Sequence, residues 1–194
     1  MGETGNRRRR ALAGFTLIES LMAVLVLAIL LASAAPVMGN LIKRNTLVTL
    51  HTELRTSLYL ARTHAVRKGI AVTVCPRDNS GGCAQPSGDW SKGWIVFEDP
   101  DRVGRCRDSM GSGLCQGTPN RILGMRGPVA PGYVIRSNHH VSQRVRFSGT
   151  GMSYGYNGRF VFCDAGHAVD PLGLVVAATG RVRRARDADL LPCP

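Results

Sequence analysis

A long apolar stretch lies near the N-terminus of the chain. Residues 15–35 are apolar or small apart from Glu19, and Pro36 follows them. A helix needs about 20 such residues to cross a bilayer, so this stretch is long enough to span one. The pattern predicts a transmembrane helix over 15–36, preceded by a short basic segment over 1–14.

Beyond Pro36 the apolar positions become periodic. They recur at steps of three and four residues, which places them on one face of a helix: Leu47, Leu50, Leu54, Leu58, Ala61 and Ala65. Gly69 follows the basic pair Arg67-Lys68, as is typical of a helix C-terminus. The pattern predicts an amphipathic helix over 37–68 whose apolar face packs on a sheet.

Residues 69–194 have the alternating β-branched pattern of strands separated by glycine-rich turns. The predicted strands are 70–75, 94–97, 133–137, 144–147, 159–163, 172–178 and 181–185. No helical pattern of crossover length separates them, which favours antiparallel pairing. The predicted fold class is α+β, with a long N-terminal helix packed on an antiparallel β-sheet domain. The Gly- and Arg-rich segment 100–131 leaves open whether it folds onto the sheet or projects from it.

Six cysteines lie beyond the apolar stretch: Cys75, Cys83, Cys106, Cys115, Cys163 and Cys193. None forms a C-x-x-C pair, which argues against a zinc ribbon or a thioredoxin-type site. An even number beyond a membrane segment is typical of disulfides in an oxidising compartment. Six cysteines allow 15 connectivities. The simplest pairs each cysteine with its neighbour in the chain.

The chain is strongly basic. Its formal charge is +12, and because residues 1–14 carry four arginines and one glutamate, their removal would still leave +9. Beyond residue 14 only Lys43, Lys68 and Lys92 are lysine, so arginine dominates. Arginine binds phosphate in a bidentate manner, which favours an anionic partner. Solubility, or attraction to anionic envelope surfaces, is the alternative reading.

The N-terminus has a basic run followed by an apolar run, and a signal anchor with the arginines in the cytoplasm would explain both. It would not explain Glu19, because a carboxylate inside a membrane helix costs roughly 2.5 to 3.5 kcal/mol and is usually functional. The sequence GFTLIES resembles the type III signal of type IV prepilins. The resemblance implies that residues 1–14 are a prepilin leader, which a prepilin peptidase removes by cleavage after Gly14, and that the new N-terminus, Phe15, is methylated. It also implies that the helix over 15–36 forms part of the core of a filament. Glu19 would then neutralise the amino group of Phe15 on a neighbouring subunit of a filament.

Further along, the segments ARTHAVRKGIAVTVCP, GWIVFED, FVFCD and LVVAATGRVR together resemble the FimT/GspH family of minor pilins and pseudopilins. The family includes minor pilins of type IV pili and a minor pseudopilin of type II secretion. The resemblance implies major and minor pilins as partners. It also implies a single-pass inner-membrane protein with a periplasmic globular domain, which is then assembled into a pilus or pseudopilus.

The final basic cluster matches the G-R-x-R of FimT-like minor pilins, which is implicated in DNA capture during natural transformation. The match covers Gly180, Arg181 and Arg183, and Arg184 adds charge nearby. If Thr179-Gly180 makes a hairpin turn, Arg181 and Arg183 share one face of the next strand and could contact neighbouring phosphates of double-stranded DNA without reading bases. Arg144, Arg146 and Arg159 are candidate helpers. The alternative is a solvated edge strand that uses positive charge to prevent aggregation.

The sequence contains no phosphate-binding glycine loop or H-E-x-x-H pattern, and we expect no enzyme, cofactor or metal site. Glu98, Asp99 and Asp101 suggest calcium, but Arg102 interrupts them and EF-hand spacing is missing. His139-His140 is an adjacent pair, whose side chains would point to opposite faces of a strand. His51 and His64 on the helix have no metal-type spacing, and we expect both at the surface or its boundary.

Two functions therefore remain. The first is a minor pilin of a type IV pilus that binds DNA non-specifically for uptake in natural transformation. The second is a structural minor pseudopilin of the GspH kind, which serves type II secretion or pilus assembly and has no DNA role.

Overall fold

A computed structural model describes residues 15–85, 88–108 and 111–194. The chain divides into two compact units, residues 1–39 and residues 40–194. The predicted cleavage site at Gly14 lies outside the described residues. The second unit carries the hydrophobic core, all three disulfides and every strand.

Helix α1 spans Leu17–Lys68 and thus covers both helical segments that the sequence predicts. At its start, the hydroxyl oxygen of Thr16 accepts a hydrogen bond from the backbone N–H of Glu19 at 3.3 Å. This is an N-cap contact, and Glu19 lies in the first turn of the helix, where the helix dipole favours negative charge. Arg67 and Lys68 occupy the last turn, and Gly69 follows with φ 67°.

For the membrane span predicted over 15–36, the structural finding is negative. Among the helices of the described residues, none is long and apolar enough to cross a membrane.

Within the described residues, eight strands follow the helix, and seven of them lie close to the predicted positions. They are β1 Val72–Pro76, β2 Trp94–Glu98, β3 Ile122–Arg126, β4 Tyr133–Ser137, β5 Val145–Phe147, β6 Gly158–Asp164, β7 Leu172–Val176 and β8 Val182–Arg184. The sequence did not predict β3, which has Gly124 at its centre, and glycine weakens a strand signal.

The strands form two antiparallel sheets. The first sheet has the order β3-β2-β1-β5 and the second has the order β4-β6-β7-β8. One face of each sheet packs with α1 in a shared core, and the predicted helix stripe is confirmed because all six of its residues are buried there. Trp94 also donates a hydrogen bond from its indole N–H to the Ser57 hydroxyl on α1 at 2.8 Å.

Residues 101–108 and 111–121 fold back over the far face of the first sheet, which settles what the sequence left open. Ile95 and Phe97 on that face form a second apolar cluster with Cys75, Cys106 and Cys115. Backbone pairing joins the segment to the preceding loop, since Cys83 N–H donates to the Cys106 carbonyl at 2.8 Å. The segment therefore supplies a small core of its own.

The three disulfides join each cysteine to its neighbour in the chain, so the simplest pairing is confirmed. Cys75–Cys83 and Cys106–Cys115 close short loops at the first sheet. Cys163–Cys193 ties the end of the chain to β6 in the second sheet. Such cross-links stabilise chiefly by restricting the unfolded chain.

Candidate nucleic-acid interface

The predicted hairpin turn before the basic cluster is present. Ala177 and Arg181 pair through a backbone hydrogen bond of 2.9 Å, and Gly180 N–H donates to the Ala177 carbonyl at 2.8 Å. Gly180 has φ 75°, which L-residues with side chains rarely adopt. Its role is therefore to shape the turn, whereas the arginines that follow carry the charge.

Arg62 of α1 holds this turn against a second turn, which contains Gly151. Its Nε donates to the Gly151 carbonyl at 3.1 Å, and its terminal nitrogen donates to the Thr179 carbonyl at 3.2 Å. A Cβ on Gly180 would collide with the Gly151 carbonyl oxygen. The two turns can therefore lie this close only because residue 180 is glycine.

Arg181, the residue before β8, and Arg183 within β8 lie on one side of the chain, because side chains alternate along extended backbone and Val182 between them is buried in the core. Residues directly opposite on neighbouring strands share a face. The register pairs Arg183 with Val175 on β7, and Val175 with Arg159 on β6. Arg159, Arg181 and Arg183 thus occupy the face of the second sheet that is turned away from α1, and we call these three residues the arginine row.

Arg136 on β4 lies on the same face, although sequence reasoning did not single it out. It pairs with Val161, two residues along β6 from Arg159. Its side chain is exposed. The signal that could have found it is the alternation of β4, which places Arg136 opposite the buried Ile135.

The end of the chain crosses this face and brings a carboxylate to the arginine row. Asp189 Oδ2 accepts from Arg183 at 2.8 Å and from the Arg186 backbone N–H at 3.3 Å. The Asp189 carbonyl also accepts from Arg159 at 3.5 Å. The hydrogen bond from Arg183 lowers the pKa of the Asp189 carboxyl from its usual value, with Arg186 and the charge of Arg159 acting in the same direction. Arg183 is therefore already paired with an acid inside its own chain.

Arg184 does not join this surface. It pairs with Leu174, which is buried in the core beside α1, so Arg184 lies on the helix side of β8. There it approaches His51. Burial, followed by the charges of Arg184 and Arg55, lowers the pKa of His51. The structure separates Arg184 from Arg181 and Arg183, with which sequence reasoning had grouped it.

Comparison with known proteins identifies the family. The family model described as type II transport protein GspH matches residues 52–180, which is more than half of the chain. The chain belongs to the GspH family. The model of the prokaryotic N-terminal methylation motif matches residues 9–35. No curated protein sequence matches the chain.

A solved structure confirms the pilin-like fold of this GspH-family chain. The crystal structure of the type IV minor pilin FimU of Pseudomonas aeruginosa (strain PAO1) in space group P21 is similar, with a TM-score of 0.54 and 19% identity. The match covers 75% of this chain and 92% of that one. A second crystal form of FimU, in space group P65, gives a TM-score of 0.49 and 17% identity over 71% and 90% of the two chains. At such identities the likeness concerns the fold.

Two of the candidate helper arginines lie elsewhere in this GspH-family domain. Arg146 on β5 belongs to the first sheet and is only 12% exposed. It donates to the Asp99 carboxylate at 3.0 Å and to the Arg102 carbonyl at 2.7 Å. Arg144 donates to the Val103 carbonyl at 3.3 Å. Arg146 is thus a buried partner of Asp99 rather than a surface cation, and only Arg159 of the three helpers lies on the arginine row.

The acidic residues and histidines that the sequence offers as candidate metal ligands also lie apart from one another. Glu98 pairs with His64 at 2.6 Å, whereas Asp99 is fully buried and accepts from Thr73 at 2.6 Å. His51, expected near the surface, is buried at 8% exposure, and its ring meets Phe162 edge-on. Within the described residues, no group of three or more His, Cys, Asp or Glu could hold a metal ion.

Proposed function

We propose that this GspH-family chain is a minor pilin of a type IV pilus that binds double-stranded DNA non-specifically for uptake in natural transformation. The observation that carries the proposal is the arginine row, in which Arg159, Arg181 and Arg183 share one face of the second sheet. Membership of a minor pilin and pseudopilin family supports a place in such a filament.

The binding would be electrostatic. Arginine side chains on a sheet face can contact phosphate oxygens of a duplex without reaching the base edges, so they position DNA without selecting sequence. Each phosphate that the protein neutralises releases counterions, and affinity therefore falls steeply with salt. Arg181, which is exposed, and Arg136 at the far strand extend the positive surface beyond Arg183. Arg184 would contribute only to the long-range electrostatic attraction of DNA.

Assembly would depend on the N-terminal segment. The match to the N-terminal methylation motif over 9–35 supports cleavage after Gly14 by a prepilin peptidase and methylation of Phe15. Before assembly the chain would be held in the inner membrane with residues 40–194 in the periplasm, where its disulfides form. Glu19 would then pair with the N-terminal amine of a neighbouring pilin. The capping contact with Thr16 supports this role, because it fixes the backbone of the turn that carries Glu19.

The test is a fluorescence anisotropy titration of labelled duplex DNA with the full chain in a non-ionic detergent. The double variant Arg181→Ala/Arg183→Ala is compared with Arg105→Ala/Arg121→Ala, which removes the same charge from exposed positions over the first sheet. We expect the first variant to lose about tenfold in affinity and to flatten the salt slope by about 1.8, the value for two phosphate contacts. Equal losses in both variants would mean that DNA responds to net charge alone and would refute the proposed site.

A second candidate function is a structural pseudopilin without a DNA role, and one observation favours it. An apolar groove of about 510 Å³ runs between α1 and the edge strand β3. Leu60 on one wall and Met125 on the other are both exposed. A groove of this kind suits the apolar face of a neighbouring pilin subunit. If the wild-type chain binds DNA no better than another protein of equal charge does, the structural pseudopilin becomes the better-supported function.

A further inference from the structure

We propose that the Asp189 carboxylate occupies the place of a DNA phosphate on the arginine row, so that the C-terminal segment competes with DNA for Arg183. The inference rests on the proposed function and names a residue that tunes it. Carboxylate and phosphate oxygens both accept charge-assisted hydrogen bonds from a guanidinium. A group that binds one is therefore preorganised for the other.

The contacts of Asp189 mark the position of the anion. Its Oδ2 accepts from the Arg183 guanidinium at 2.8 Å and from the Arg186 N–H at 3.3 Å. Arg159 reaches the same residue through its main-chain carbonyl at 3.5 Å. One acidic residue is thus surrounded by donors from β6, β8 and the segment after β8.

Two features hold the C-terminal segment in place, so the fold itself keeps Asp189 close to Arg183. Leu190 packs on Gly173 of β7, where a Cβ would lie 2.6 Å from the Leu190 side chain. A few residues later, Cys193 is bonded to Cys163 of β6. The segment therefore stays close to the arginine row even when the ion pair opens.

The pair is nevertheless easy to displace. The Arg183 and Asp189 side chains are 37% and 27% exposed, and ion pairs with this degree of exposure are weak and screened by salt. A duplex presents several phosphates at once, so it can exchange for a single carboxylate. Asp189 would then lower the affinity of the arginine row for isolated anions. A continuous phosphate backbone would still bind.

The variant that tests this is Asp189→Asn, which keeps the shape of the side chain and removes its charge. Its matched control is Asp187→Asn, which removes the same charge from the same 3₁₀ turn. Within the described part of the chain, the Asp187 side chain makes no hydrogen bond or ion pair. Asp189→Glu returns a carboxylate to the reach of Arg183.

In anisotropy titrations of the full chain with duplex DNA, Asp189→Asn should bind about fivefold more tightly than Asp187→Asn. The salt slope should stay that of the wild type, because the duplex displaces Asp189 from Arg183 and the number of phosphate contacts is unchanged. Asp189→Glu should return the affinity to that of the wild type. Equal affinities for the two Asn variants would overturn the inference while leaving DNA binding itself intact.

Titration with inorganic polyphosphate separates this inference from the proposed function. If no variant binds DNA but Asp189→Asn still binds polyphosphate more tightly than Asp187→Asn does, DNA uptake is refuted and the competition at Arg183 stands. If the two variants are equal for both probes, the competition is refuted.

Discussion

Gly180 and Gly151 meet at the junction of two turns, where a Cβ on residue 180 would collide with the carbonyl oxygen of residue 151. Arg62 of α1 donates to that same carbonyl at 3.1 Å. The turn that starts the basic strand is thus fixed by backbone contact and by a side chain of the helix. The direction in which Arg181 and Arg183 leave the sheet depends on this contact.

The first prediction concerns this glycine contact. Gly180→Ala should lower the free energy of unfolding by about 3 kcal/mol, because it adds a steric collision to an unfavourable φ. Gly155→Ala is the control, since Gly155 has the same φ of 75° but nothing within 4 Å of its Cβ position. It should cost only about 1 kcal/mol. Urea unfolding followed by the fluorescence of the buried Trp90 and Trp94 measures both, and equal losses would show that the turns separate freely.

The second prediction concerns the buried ion pair of Asp99 and Arg146. Asp99→Asn should cost about 3 to 5 kcal/mol in unfolding free energy, because it leaves the guanidinium of Arg146 buried without a counter-charge. Asp99 also accepts from the Gly104 N–H at 3.1 Å, so residues 101–108 should loosen. Asp101→Asn, at an exposed position, should change stability by no more than about 0.5 kcal/mol.

Amide hydrogen exchange of residues 101–108 provides a second reading for the Asp99 variant. Faster exchange at Gly104 in Asp99→Asn, but not in Asp101→Asn, is the expected result. Unchanged exchange and stability would mean that Asp99 does not anchor the segment.

The third prediction concerns the pH dependence of stability. His51 has a pKa lowered by burial and by Arg184 and Arg55, and within the described residues its Nε2 has no hydrogen-bond partner. The unfolded chain therefore binds a proton at His51 more readily than the folded chain does. Stability should fall as pH drops through the unfolded value of about 6.5, by at most about 1.4 kcal/mol per pH unit.

The comparison is between wild type and His51→Gln, each unfolded in urea at about pH 7.5 and about pH 5.5. The wild type should lose more stability between these values than His51→Gln does. His64→Gln serves as the control for the second helix histidine, which pairs with Glu98 instead. Identical pH profiles for wild type and His51→Gln would contradict the prediction.

Local periodicity made much of the fold predictable. The stripe from Leu47 to Ala65 is a property of consecutive residues, and burial of any long apolar face is strongly favourable. Alternation placed seven strands within a few residues of their observed bounds. Strand β3 was missed because Gly124 interrupts its pattern and because its position beside Leu60 on α1 is a long-range fact.

For the candidate site, the sequence correctly indicated that Arg181 and Arg183 share a face, since alternation on a strand needs no knowledge of the partner strand. It could not indicate that Arg184 lies beside His51, because that depends on the register of β8 with β7. Nor could it indicate that Asp99 would bind Arg146, 47 residues away in the chain.

The sequence by itself therefore determined the helix, most of the strands and the family motif, all of which depend on neighbouring residues. Only the tertiary structure decided which arginines are free to meet a ligand. The number of charged residues follows from composition, but whether an arginine can bind a ligand depends on the carboxylates that folding brings near it. Asp99 pairs with Arg146 in this way, and Asp189 pairs with Arg183. Those pairings arise from sheet register and from the cross-link of Cys163 to Cys193, which no local pattern encodes.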